Sequence, residues 1–255
     1  MTNFLVLLAS TSAALLFSLI LMPLIMSLSH RMKWYDIPDK RKIHTGLIPR
    51  LGGVGMYISV VVVSILSSAL YLLLTGKRGF FQTRYLSILA GFTLVHCVGL
   101  FDDFRSLRAL PKLSIQIMAG AIIAIGGFTI SSISLPYIGT ISLGILAYPI
   151  TILWLVGISN ALNLVDGMDG LAGGISAFAA LSMGIIALIQ QQVLTAMLAF
   201  ILFGSIVGFL VFNFPPAKIF MGDCGSLFLG FALAIIPLMG ISKAASFSTL
   251  IIPIT

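Results

Sequence analysis

The chain has 255 residues, 59% of them hydrophobic and only 8% charged, with a mean hydropathy of +1.17. A soluble domain of this size needs more polar surface than that, so the composition implies a multi-spanning membrane protein. The net charge of +7 suits contact with anionic lipid heads or phosphorylated substrates; no long basic surface remains outside the apolar runs, which excludes a nucleic-acid partner.

Residues 2–29 are charge-free, long enough to cross a bilayer and without the basic start of a signal peptide, so they are read as a retained span. A polar loop over residues 30–50 follows, with Arg31, Lys33, Asp36, Asp39, Lys40, Arg41, Lys42, His44 and Arg50. A second span covers 51–76, and a third covers 85–101 and ends at Asp102-Asp103. Residues 113–165 carry no charge and divide into a fourth span closing at Gly126-Gly127, a β-hairpin over 128–143 around Pro136 and Gly139, and a fifth span over 144–159. The sixth and seventh spans are separated by Gln190-Gln191-Gln192, and the eighth covers 224–242. A ninth starts at Phe247 and is cut at Thr255. The expected fold is an all-α polytopic membrane protein with about eight complete transmembrane helices, the start of a ninth and a small external hairpin. The chain is read as one domain that lacks its C-terminal spans.

Alternation of the spans puts residues 30–50, 102–112, 160–170 and 213–223 on one side. That side holds all seven acids, every one an Asp, and ten of the 14 Lys and Arg residues. Lys77, Arg78, Arg84 and Lys243 fall on the other. The positive-inside rule then makes the Asp side cytoplasmic and the N-terminus external. Cys97 and Cys224 lie in or beside spans and form no disulfide framework.

The densest polar stretch runs from Asn160 to Gly170, with Asn163, Asp166 and Asp169. Carboxylates and amides at the end of an apolar helix need a partner, water or a function. Asp166 and Asp169 share a face if the segment is helical. Asp102-Asp103 is a paired carboxylate that wants a cation such as Mg²⁺; alone, such a pair is usually just solvated. Asp223 precedes an apolar helix and is well placed to cap it. Gly52 and Gly53 follow Arg50 at the start of a span, where backbone N–H groups can bind phosphate. His96, inside the third span, is read as a satisfied helix residue. Carboxylates and cations gathered at a membrane surface are the equipment of phosphoryl transfer to an anionic substrate.

These pieces resemble the polyprenyl-phosphate N-acetylhexosamine-1-phosphate transferases, which start cell-envelope glycan synthesis. The matching segments are residues 38–44 with 49–53, Asp102-Asp103 with Lys112, residues 160–174 (NALNLVDGMDGLAGG) and residues 213–230 (NFPPAKIFMGDCGSLFLG). Arg41-Lys42 with His44, then Pro49-Arg50 before the glycine pair, looks more like the branch that uses UDP-N-acetylglucosamine for teichoic acid linkage or O-antigen than the muramoyl-pentapeptide branch. The resemblance implies transfer of a sugar 1-phosphate from a UDP-N-acetylhexosamine to polyprenyl phosphate at the inner membrane of a bacterium, with release of UMP. It implies Mg²⁺, or Mn²⁺ in its place, on Asp223, with Asp102 and Asp103 holding metal or assisting the lipid phosphate. Asn160, Asn163, Asp166 and Asp169 would line the nucleotide-sugar site, with Phe220 on uracil and Asn213 in support. Lys42, His44, Arg50 and Lys112 would face phosphates. Membrane lipids are the other expected partners, and a homodimer is compatible with the class. The family's basic, His-rich loop lies beyond the point where this chain ends, so the chain alone is expected to have little or no transferase activity. A secondary transporter with Asp-based ion coupling and a non-enzymatic membrane scaffold are the competing readings.

Overall fold

The computed structural model describes residues 2–35, 48–135 and 139–240. The chain runs through α1 (Thr2–Met32), α2 (Gly52–Thr75), α3 (Leu86–Arg105), α4 (Ala109–Ile125), β1 (Ser132–Leu135), β2 (Gly139–Ser142), α5 (Ala147–Val165), α6 (Leu171–Ile189), α7 (Val193–Asn213) and α8 (Gly222–Gly240). Seven of these helices are long and apolar enough to cross a membrane, and α4 is a shorter apolar helix. α4 stands where a fourth full span was expected; its 17 residues make a rod of about 25 Å. The hairpin is antiparallel, with Ser132 opposite Ser142 and Leu135 opposite Gly139. Pro136 and the ninth span expected from Phe247 lie outside the described residues.

Three helix ends differ from the expected boundaries, and each difference moves a polar residue onto a helix. α3 continues through Arg105, so Asp102 and Asp103 ride its last turn rather than follow it. α5 continues to Val165, so Asn160 and Asn163 are helical and do not enter a loop. α8 begins at Gly222, which puts Asp223 inside its first turn. A hydropathy reading ends a span at the first charge, whereas a helix runs on while its backbone bonds are made.

The bundle is organised around α8, which is 89% buried over its membrane-length window, against 28% for α1. Small residues let the neighbours in. A Cβ on Gly53 of α2 would stand 2.2 Å from the backbone nitrogen of Gly225, and one on Gly99 of α3 would stand 2.5 Å from the carbonyl of Asp223. Lipid offers little driving force between helices, so close packing and hydrogen bonds must supply it. Three serines show the second device. Ser18 of α1 donates to the Ser205 carbonyl of α7, Ser205 to Met56 of α2, and Ser59 of α2 to Ala14 of α1, at 2.8, 3.2 and 3.0 Å. His96 is satisfied inside the bundle: it stacks on Tyr57, and its Nδ1 lies 3.2 Å from the Cys224 carbonyl, which can only accept.

Replacing Gly53 by Ala drives a methyl into backbone that cannot retreat, and overpacking of this kind typically costs about 1–3 kcal/mol. Gly157→Ala meets nothing within 4 Å and is the matched control. Unfolding in detergent should show a lower Tm for the first and an unchanged Tm for the second.

Candidate active site

The first N–H groups of any helix lack partners within it. α8 begins in the interior, where water cannot serve them. The Asp103 carboxylate does so from the end of α3, accepting the N–H of Asp223 at 2.8 Å and of Cys224 at 3.0 Å. Its side chain is 1% exposed, and an Arg50 guanidinium nitrogen lies 3.8 Å from Oδ1. A negative charge at a helix N-terminus also opposes the positive end of the macrodipole. The cap of α8 is therefore Asp103, and Asp223, which was also placed to cap it, does not take that part.

Asp223 is free to turn outward. Its Oδ2 meets the Lys112 ammonium, and its Oδ1 accepts from Asn163 Nδ2 at 3.2 Å. Asn163 also donates to Ser226 at 2.7 Å. Lys112 bridges to Asp102 Oδ2 at 2.8 Å, and Asp102 Oδ1 accepts the N–H of Leu107. Adjacent in sequence, Asp102 and Asp103 thus have separate partners, Lys112 and Leu107 for one and the start of α8 for the other.

Asp166 follows the last turn of α5, and among the described residues no hydrogen bond or ion pair holds its carboxyl. Burial, and then the carboxylates of Asp223 and Asp103, push its pKa up to about 7, while Arg50 pulls the other way. Burial is the larger cause, and the two neighbouring carboxylates add to it; a cation beside Asp166 would offset their part. Among the described residues no three acidic, His or Cys side chains form a metal cluster. Mg²⁺ commonly takes only one or two protein carboxylates and completes its shell with phosphate oxygens and water. Asp223 and Asp166 fit that requirement.

The other expected site residues fall into distinct places. Asp169 does not share a helix face with Asp166, because the segment between α5 and α6 is not helical; its Oδ2 accepts the Ala217 N–H at 2.9 Å. Asn213, 4% exposed, accepts the Gly170 N–H and donates to the Ile219 carbonyl. These two side chains tie the loop before α6 to the loop before α8. Asn160 lies deeper on α5 and bonds to Gln116 of α4. Gly52 and Gly53 do not offer N–H groups to phosphate, since both already donate, to the carbonyls of Phe220 and Met221. Phe220 is half-buried, and its own N–H donates to the Pro49 carbonyl at 2.7 Å. Lys42 and His44 lie outside the described residues.

Ser226 and Gln116 were not anticipated. The spacing contained a signal for each: Ser226 stands three residues after Asp223, and Gln116 four after Lys112, which puts each pair on one helix face.

A cation binds the ionised carboxylate, so its affinity at Asp166 should rise as pH increases through about 7 and fall below it. Carboxyl ¹³C NMR of Asp-labelled protein should show a resonance from Asp166 that titrates near 7. That titration should move to lower pH with added Mg²⁺ and vanish in Asp166→Asn.

Among the described residues, Pro49 and Arg50 and the segments 102–112, 160–170 and 213–223 therefore meet, where the ends of α3, α5 and α7 lie beside the start of α8. Glycosyl transferase family 4 is the family model that matches, over residues 85–241. The chain is 38% identical over 94% of its length to the probable undecaprenyl-phosphate N-acetylglucosaminyl 1-phosphate transferase of Bacillus subtilis (strain 168), covering 65% of that protein. It is 36% identical over 81% of its length to the decaprenyl-phosphate N-acetylglucosaminephosphotransferase of Mycobacterium leprae (strain TN), covering 54% of it. It is 37% identical over 80% of its length to the phospho-N-acetylmuramoyl-pentapeptide-transferase of Latilactobacillus sakei subsp. sakei (strain 23K), covering 64% of it. The chain thus spans between about half and two thirds of the length of these relatives. The family match takes in α3 through α8, and with them Asp102, Asp103, Lys112, Asn163, Asp166 and Asp223; the chain belongs to glycosyl transferase family 4.

Proposed function

We propose that the protein transfers N-acetylhexosamine 1-phosphate, of the N-acetylglucosamine type, from a UDP-sugar to polyprenyl phosphate, releasing UMP. The observation that carries this reading is the convergence at one end of a membrane bundle of Asp223, gripped by Lys112 and Asn163, with the uncommitted carboxyl of Asp166. The names of the relatives point the same way, two of them to polyprenyl-phosphate acceptors and N-acetylglucosamine phosphate.

The chemistry is an exchange of one phosphoanhydride for another. A phosphate oxygen of the lipid bonds to the β-phosphorus of the donor, the bond from that phosphorus to the bridging oxygen breaks, and UMP leaves with the electron pair. A phosphomonoester has a second pKa of about 6 and is mostly dianionic at neutral pH, so no general base is needed. Asp103, whose oxygens are occupied by the α8 backbone, is suited to positioning rather than to proton removal. Asp102 holds Lys112 beside Asp223, and Lys112 and Arg50 supply positive charge to incoming phosphates. Mg²⁺, held by Asp223 with Asp166, would neutralise charge on the donor diphosphate. An apolar groove of about 500 Å³ between α5, α6 and α8, lined by Trp154, Leu162, Val165, Phe178 and Leu233, ends one residue from Asp166 and suits a polyprenyl tail. In a secondary transporter the ionisable groups would sit near the bilayer midplane on broken helices. Here they sit at helix ends, which favours the transferase.

With defined polyprenyl phosphate and UDP-N-acetylglucosamine, the protein extended to the full length of its relatives should release UMP only when Mg²⁺ is present. Asp223→Asn keeps the shape of the side chain and removes its charge, so it should abolish turnover while the protein stays folded in detergent. Normal turnover in that variant, or release that ignores chelator, would remove Asp223 from the metal site.

The same reading puts the carboxylate end in the cytosol. In a Cys97→Ser background, a cysteine at Ser106 should react with an impermeant maleimide only from the cytosolic side, and one at Lys77 only from outside. Labelling of Ser106→Cys in intact cells would reverse the orientation.

A further inference from the structure

Asp223 is held from two sides by two different helices. Lys112 of α4 reaches its Oδ2, and Asn163 of α5 reaches its Oδ1. One turn deeper the same two helices are joined again. Gln116 stands four residues after Lys112 on α4, and Asn160 three residues before Asn163 on α5, so each helix presents its two polar side chains on one face. Gln116 Nε2 donates to Asn160 Oδ1 at 3.4 Å, and Asn160 Nδ2 donates back to Gln116 Oε1. Among the described residues these are the side-chain hydrogen bonds that link α4 to α5. Gln116 is 0% exposed, in a helix that from Leu113 to Ile125 is otherwise apolar except for Ser114. A buried polar group at this depth calls for a reason.

Deeper along the α4–α5 contact, Gly120 meets Ile152 in ordinary van der Waals contact at 3.5 Å, with no directional bond to fix a register. Such a surface tolerates sliding and rotation. A reciprocal amide pair does not, because a slip of one residue turns a helix by about 100° and breaks both bonds.

We infer that the Gln116–Asn160 pair sets the register of α4 against α5 and so aims Lys112 and Asn163 together at Asp223, which makes Gln116 a positioning residue for the transfer reaction. The inference rests on the function proposed above only for its kinetic consequence. Its structural content is that Lys112 leaves Asp223 when the pair is lost.

The test uses Gln116→Met, Asn160→Leu and the double variant, each close in shape to the residue replaced. Asn160→Leu leaves the buried Gln116 amide unsatisfied and should lower the Tm in detergent, more than Gln116→Met, because Asn160 is half-buried and keeps its bond to the Val156 carbonyl. Replacing both partners removes the unsatisfied group, so the double variant should regain most of that stability. Register is not regained with it. A catalytic group misplaced by about 1 Å can cost on the order of 10²-fold, so kcat for UMP release should stay down by about that factor in the double variant, with KM for the UDP-sugar little changed. Lys112, clamped between two carboxylates, should resist acetylation by an amine-reactive ester in the parent protein and become reactive in the double variant, read by mass spectrometry. A double variant with parental kcat and a protected Lys112 would overturn the inference and leave the amides serving only each other. If Lys112 becomes reactive but the parent protein, extended to the full length of its relatives, releases no UMP, the register role stands and the transferase reading fails.

Discussion

The Asp103 carboxylate lying across the first N–H groups of α8 is the interaction on which the site depends. A helix that begins inside a membrane bundle exposes unpaired donors and the positive end of its dipole to a place without water. An anion from a neighbouring helix answers both needs. It can do so only if α3 comes close, which Gly99 allows, and Arg50 lies near enough to moderate its charge. With its first turn served from outside, α8 does not need the side chain of Asp223 as a cap, and that carboxylate meets Lys112 and Asn163 instead.

The polar groups then divide into two sets. Asp102, Lys112, Asn163, Asp223 and Ser226 form a connected chain of ion pairs and hydrogen bonds, with Asp166 facing it unheld. Asn213 and Asp169 form the second set, and their side chains are spent on backbone groups of the loops before α6 and α8. Loops that border a binding surface must keep their shape in water, and two buried side-chain clamps provide that. Residues that read alike in a motif thus differ in kind: some carry available charge, others hold the frame.

The concentration of charge at one end also has a simple physical basis. Carboxylates are costly within hydrocarbon, and the chain places them where helices end and their backbone termini can help to stabilise them. The apolar groove beside Val165 extends from that end along α5, α6 and α8.

Much was legible in the order of residues. Apolar runs bounded by polar segments gave the seven membrane-length helices and the hairpin, though not the shorter length of α4, because hydropathy decides which segments suit lipid. The clustering of Asp in a few short segments identified the end of the bundle that matters. Asn163, Asp166 and Asp223 stood out because polar groups beside long apolar runs are expensive unless used. What remained hidden was the partner of each group. That Asp103 rather than Asp223 caps α8, that Gly52 and Gly53 bond to residues 220 and 221, and that Gln116 meets Asn160 all join residues more than 40 positions apart in the chain. Local propensity can say that a group must be satisfied, but only the packing of helices against one another decides by whom.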